Sequence, residues 1–184
     1  MKHVIRKLYY DYEKEEKWLN SMASKGMALF NYSWCKYAFE DCEPSEYIYR
    51  IELLKDLLTH PNSMAYIKFM QEMGVEHVAS YMRWVYFRKK ASEGQFDLYS
   101  DIESRITHYK RINLLWSILA LVEGIIGLSI IIMGSVNIMN GHPIGRLGIV
   151  MGIVPVMIGI LFLYIDAPIR KKIKDLVKEK NIRE

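Results

Sequence analysis

The chain is 184 residues long, with 25 Lys and Arg against 21 Asp and Glu, a formal net charge of +4, and 51% apolar residues. That length leaves room for one soluble domain of about 110 residues beside the two apolar runs described below, and it excludes a second. Two cysteines seven positions apart, Cys35 and Cys42, exclude a disulfide framework and match no zinc or redox spacing; five scattered histidines form no close pair and no nucleophile stands beside a base, so neither enzyme chemistry nor a metal or other cofactor is expected.

Along the chain, Met1–Arg6 leads into the charged stretch Asp11–Lys17 without an apolar core segment, which predicts no signal peptide. His3–Tyr9 has the β-branched and aromatic character of a strand. Asp11–Lys25 places Trp18, Leu19, Met22 and Ala23 on one helical face, with Asp11 to cap its start and Gly26 to end it. Met27–Phe39 alternates, with Phe30, Tyr32, Trp34 and Ala38 on one side, and Asp41–Ser45 turns the chain around Pro44. Glu46–Leu53 alternates again, Tyr47, Tyr49, Ile51 and Leu53 against Ile48, Arg50 and Glu52. Pro61–Met73 reads as a second helix with Met64, Ile67, Phe69 and Met70 near one face, stopped at Gly74. Val75–Lys89 reads as one long strand.

The order βαββαβ predicts an α+β head, residues 1–111, of the ferredoxin-like sandwich type. Gln95–Tyr99 is expected to add an edge strand, and Ser100–Arg111 a helix opened by a capping box of Ser100 and Glu103. Twelve of the 13 tyrosines and three of the four tryptophans precede residue 112. An aromatic sheet face can stack RNA bases, yet the aromatic-glycine signature of such modules is absent. The rings are therefore expected to be core, and direct nucleic-acid binding is not expected.

Residues 112–167 are read as a transmembrane helical hairpin. Its runs, about 112–134 and 144–165, each exceed the ~18 to 20 apolar residues that cross ~30 Å of hydrocarbon. Lys110 and Arg111 precede the first run, Arg170, Lys171, Lys172 and Lys174 follow the second, and Ser135–Pro143 between them carries no Lys or Arg, which predicts a multi-pass protein of the cell membrane with both termini cytoplasmic. Trp116, Ala120, Glu123, Gly127, Ile130 and Gly134 share a stripe on the first span, while Gly148 and Gly152 form a GxxxG pair on the second. Ala120, Gly127, Gly148 and Gly152 are the expected packing positions, within one hairpin or between copies.

Glu123 falls midway along its span, where an ionised lipid-facing carboxylate costs a few kcal/mol or more. It is expected to face protein or water, or to be neutral. Pro155, at the middle of the second span, leaves the Met151 carbonyl without its helical donor, so Glu123 and Pro155 form the candidate intramembrane polar site. Glu123 of a second copy is the other candidate partner, and the two uses open to the site are interhelical adhesion and proton or ligand sensing. Residues 168–184 are read as a basic amphipathic cytoplasmic tail starting a new helix at Pro168, with seven basic against three acidic side chains accounting for the entire net charge. Arg170, Lys171, Lys172 and Lys174 are the expected contacts to anionic lipid of the inner leaflet.

Several runs carry a family resemblance: Glu16-Lys17-Trp18-Leu19, Met22-Ala23 and Lys25-Gly26, then Tyr37-Ala38-Phe39, Glu46-Tyr47-Ile48-Tyr49-Arg50-Ile51, Arg83-Trp84-Val85-Tyr86-Phe87-Arg88-Lys89, and Leu98-Tyr99-Ser100-Asp101 through His108-Tyr109-Lys110-Arg111. Over residues 1–111 the chain resembles a bacterial domain-of-unknown-function family, mostly from Gram-positive organisms, with a cytoplasmic head followed by transmembrane helices. The position before Ala28, often Trp in that family, is Met27 here. The resemblance implies a regulatory or stress-response setting, since members are frequently encoded beside PadR-type transcriptional regulators, and it carries no catalytic residues. The expected function is a membrane sensor or regulatory adaptor, homo-oligomeric, whose head binds a partner protein or small ligand; the alternative is an accessory subunit of a membrane transporter or export complex.

Overall fold

The computed structural model describes residues 1–99 and 101–183. The chain divides into two compact units, Met1–Ser100 and Asp101–Glu184. The first is the mixed α+β head. It opens with strand β1 (Lys2–Arg6), helix α1 (Tyr12–Ala23) and the hairpin β2 (Met27–Ser33) and β3 (Lys36–Asp41), then continues with strand β4 (Tyr47–Leu53), helix α2 (Pro61–Glu72) and the hairpin β5 (Glu76–Tyr81) and β6 (Trp84–Lys90). A short 3-10 turn, Ala91–Glu93, follows.

These elements form two three-stranded antiparallel sheets, in the orders β1-β3-β2 and β4-β6-β5. The head is thus one βαββ unit built twice. The correspondence reaches detail: both helices are 12 residues long, each is followed by a left-handed glycine, Gly26 (φ 78°) and Gly74 (φ 80°), and each hairpin has a register shift just after it, between Leu29 and Asn31 and between His77 and Ala79. Phe39 and Phe87, 48 positions apart, are both fully buried. Gly26 is held to glycine twice over, because a Cβ there would also lie 2.9 Å from the Cys42 carbonyl oxygen.

The α+β character agrees with the sequence pattern, but the single sheet expected of a ferredoxin-like sandwich is replaced by these two. The cause is that two stretches each read as a single strand are hairpins: Met27–Phe39 turns back at Trp34-Cys35, where Cys35 adopts φ 55°, and Val75–Lys89 turns back at Met82-Arg83, where Met82 adopts φ 56°. Phe30 produces a second departure. As the extra residue of the β2 bulge it reverses the inward phase, so Leu29 and Tyr32 face the core with Tyr37 and Phe39, in place of the expected Phe30, Tyr32, Trp34 and Ala38. Gln95–Tyr99 forms no strand; Phe96 is buried and Asp97 pairs with Arg50 at 3.1 Å. On α2, Ile67 and Met70 face inward, whereas Met64 and Phe69 are exposed.

Apolar packing gathers into two clusters. The first joins Leu19, Met22 and Ala23 of α1 to Leu29, Tyr37 and Phe39 of one sheet and Tyr49, Ile51, Ala79 and Tyr86 of the other. Leu54, Ile67, Val75, Val85, Phe87 and Phe96 form the second. Alternate residues of β6 serve the two clusters, Tyr86 one and Val85 and Phe87 the other, as the twofold period of a strand covered on both faces requires. Many of the aromatic rings are core, Trp18 lying edge-on to Tyr37 at 4.8 Å and to Phe39 at 5.7 Å, whereas Trp34, Tyr10 and Phe69 are exposed.

The second unit is two long helices, α3 (Ile102–Met139) and α4 (Ile144–Arg183), turned at Asn140–Pro143 with Gly141 at φ 79°. Asp101 caps α3 by accepting from the Ser104 N–H at 2.7 Å; Ser100, expected in that place, lies outside the described residues. Both helices are long and apolar enough to cross a membrane. At 1.5 Å per residue they extend about 57 and 60 Å, nearly twice the ~30 Å of a hydrocarbon core. α4 runs without a break through Pro155 and Pro168, so Pro168 does not begin a separate tail helix. One missing N–H at Pro168 is offset by the packing stripe of α4, which continues through it from Asp166 to Ile173.

Candidate functional site

The hairpin is held by a seam of small residues that recur every seventh position. On α3 these are Ala120, Gly127 and Gly134, and on α4 Gly145, Gly152 and Gly159, all buried. A seven-residue period on a helix of 3.6 residues per turn keeps the seam facing the partner only if the pair winds left-handed. Glycine is required at the crossings themselves. A Cβ on Gly152 would lie 2.8 Å from the Gly127 carbonyl oxygen, and one on Gly127 would lie 2.7 Å from the Gly152 carbonyl oxygen. Of the four packing positions read from sequence, Ala120, Gly127 and Gly152 lie in the seam and Gly148 beside it, against Gly134.

Glu123 is half-buried on the flank of this seam, packed close to Gly159: a Cβ added at Gly159 would lie 3.6 Å from the Glu123 Cβ. No donor reaches its carboxylate among the described residues. Pro155 is half-buried one helical turn before Gly159, while Val156 covers Gly127. Lys171 and Lys174 are exposed, Lys172 stands 5.7 Å from the centroid of the Tyr109 ring, and Lys180 pairs with Glu103 at 3.6 Å, so the basic end of α4 runs alongside the start of α3.

Continued toward the charged end, the same spacing of seven reaches Asn113 on α3 and Asp166 on α4. Asp166 is fully buried. Its Oδ2 accepts from Asn113 Nδ2 at 2.5 Å, Arg170 Nε at 2.6 Å and Ser117 Oγ at 3.4 Å; Arg170 Nη2 also donates to Ser117 Oγ at 3.3 Å. Oδ1 has no partner among the described residues. The hairpin therefore changes from an apolar seam to a hydrogen-bonded polar seat within one repeat. Sequence reading missed Asp166 because it follows directly on Ile165 and precedes a run of basic residues, where one acid looks like ordinary tail charge. The glycine period, extended by one step, was the signal that marks it.

A second polar arrangement lies in the head. Glu15 on α1, buried to 7% exposure, accepts at the same oxygen, Oε1, from Tyr37 Oη of β3 and from Tyr86 Oη of β6, each at 2.7 Å. One carboxylate so ties the helix to both sheets. Burial pushes its carboxyl above the ordinary range, against the lowering effect of the two tyrosine bonds, and pushes both phenols far above theirs. One residue along, Glu16 Oε2 accepts from the Ile51 N–H at 3.0 Å and Asn20 exchanges bonds with the Tyr49 N–H (2.8 Å) and carbonyl (3.1 Å). β4 is the edge of its sheet, and these side chains cover backbone groups that no strand pairs. Arg50 completes the contact, 3.4 Å from Glu16. Glu16 and Arg50 both stand in the runs that carry the family resemblance.

Cys35 and Cys42 are free thiols, and among the described residues no group of histidine, cysteine and carboxylate side chains could hold a metal. No curated protein and no solved structure matches the chain. A family model does match, over residues 11–121, about three-fifths of the length. The match runs from the Asp11 cap through the head except for β1 and into α3, taking in Glu15, Glu16, Tyr37, Tyr86, Asn113 and Ser117 and leaving out Glu123, Pro155 and Asp166. On that match the chain belongs to the family described as protein of unknown function, DUF2812.

Proposed function

We propose that this protein is an integral sensor or regulatory adaptor of the cell membrane, with a cytoplasmic head that binds a partner protein or small ligand. The observation that carries this reading is the continuity of α3, which runs unbroken from just after the head, at Ile102, to Met139. A helix of that kind is stiff along its whole length, so a change at its first turns is felt at the hairpin seam. Exposed apolar side chains along both helices, among them Leu121, Ile125, Leu128, Leu147, Met151 and Ile160, support insertion in lipid, since a soluble protein leaves no such continuous surface in water. Lys110, Arg111, Arg170, Lys171, Lys172 and Lys174 favour cytoplasmic termini and contact with anionic headgroups. The half-buried Glu123 favours association with a second copy. A PadR-type regulator in a Gram-positive stress-response setting is the partner that the family resemblance suggests.

The second reading, an accessory subunit of a transporter or export complex, draws on the same outward face of the hairpin. Purification of the tagged full chain from membranes in mild detergent, with identification of what accompanies it, separates the two. Recovery of a DNA-binding regulator supports the first reading and recovery of a transporter subunit the second, while full-length protein found in the soluble fraction overturns both.

A further inference from the structure

Glu15 is a buried carboxylate with no cation of its own. Among the described residues no lysine, arginine or histidine pairs with it: Lys14 lies by Asp11 at 3.8 Å, and Lys7 stands over the Trp18 and Tyr9 rings at 4.9 and 4.8 Å. Both hydrogen bonds it accepts fall on Oε1, leaving Oε2 without a donor. Between this carboxylate and the surface lies a continuous run of rings. The centroid of half-buried Tyr32 is 4.7 Å from Tyr37 and 4.6 Å from Tyr86. Outside it, Tyr81 stands perpendicular to Tyr32 at 6.1 Å and nearly perpendicular to Trp34 at 6.2 Å, and Trp34 is 73% exposed. Trp34 and Tyr81 come from the tips of the two hairpins, so each βαββ unit supplies part of the wall.

We propose that the aromatic wall of Tyr32, Trp34 and Tyr81, with Glu15 as its buried counter-charge, binds a flat organic cation. The faces of Trp and Tyr attract cations through their quadrupoles, and walls of such rings at right angles are how ammonium groups are recognised. A carboxylate in a low-dielectric setting acts over a longer distance than one in water. Burial is the main reason the Tyr32 phenol is held above its ordinary range, and the Glu15 charge adds to it in the same direction. Trp34, 73% exposed at the tip of a two-residue turn, leaves most of its ring open to solvent beyond its contact with Tyr81. The site rests on the reading of the head as a ligand-binding module and names the class of its ligand.

The test uses the full chain in non-ionic detergent, titrated with N-methylquinolinium and, as its uncharged match, with quinoline, each followed calorimetrically after subtraction of empty micelles. Saturable binding of the cation, about tenfold tighter than quinoline, is expected. Trp34→Ala, at an exposed position, should weaken the cation about fivefold with the near-UV dichroism of the head unchanged. Glu15→Gln should remove the preference for the cation over quinoline. Absence of saturable binding to the wild type, equal binding of the two compounds, or a preference that survives Glu15→Gln would each overturn the proposal. Such a failure, alongside recovery of a DNA-binding regulator, removes the ligand class alone. Cation binding by a chain recovered only with transporter subunits keeps the site and removes the regulatory reading.

Discussion

Burial holds the Glu15 carboxyl above its ordinary range, and Glu16 shifts the same way for the same main reason. The folded head therefore keeps a proton on these groups to higher pH than the unfolded chain does. The stability they contribute is fully present below the unfolded carboxylate value and is lost as pH rises through the folded one. The midpoint of denaturant unfolding, followed by the fluorescence of the head tryptophans Trp18, Trp34 and Trp84, should accordingly fall as pH rises above the ordinary carboxylate range. Glu15→Gln should flatten that fall in part, leaving the share of Glu16, and an unchanged slope in the variant would count against a proton on Glu15. Asp41 and Asp101 have lowered values, being held by the amino terminus and by the Ser104 N–H, and work in the opposite sense at more acidic pH. Spacing and motif did not single out Glu15 at all, whereas Glu16 and Asp101 stand in the family runs and Asp41 opens a predicted turn. An acid four positions past the Asp11 cap looks like any solvated first-turn carboxylate until the strands that meet it are known.

Elements whose punctuation is written in the usual residues were legible in the chain: Asp11 and Gly26 bracket α1, Pro61 and Gly74 bracket α2, and the alternation of β4 survives intact. What stayed hidden was punctuation in unusual residues. Cys35 and Met82 each take a left-handed conformation that Gly or Asn would have advertised, and without those turns each hairpin reads as one strand and the repeat of the βαββ unit is lost. The seam of the hairpin was half visible, because a GxxxG pair draws the eye to a spacing of four whereas the buried glycines recur at seven. A matched pair of substitutions tests that period. Gly152→Ala places a methyl group 2.8 Å from the Gly127 carbonyl oxygen and should lower stability by about 1–3 kcal/mol, read as an earlier thermal transition in detergent. Gly124→Ala, on the other helix of the pair and with nothing within 4 Å, should be neutral or raise the transition slightly, since alanine is the better helix former. Equal effects at the two positions would show that the helices do not meet along this line.

For the molecule as a whole, the orientation proposed for the hairpin rests on where the charges sit. Single cysteines at His142, in the turn between α3 and α4, and at Lys178, near the end of α4, placed in a chain with Cys35 and Cys42 changed to serine, report it directly. A membrane-impermeant maleimide should label position 142 in intact cells and position 178 only after lysis. The reverse pattern would put the head on the outside and remove its access to any cytoplasmic partner. Both helices are nearly twice as long as a bilayer core is thick, so in the membrane arrangement proposed above their charged ends stand clear of lipid as a two-helix stalk. The seam between Asn113 and Asp166, which repeats every seven residues, calls for a pair wound left-handed around itself. In a pair wound that way, tightening or loosening the Asn113–Asp166 seat is expected to reach the far loop as a turn about the hairpin axis.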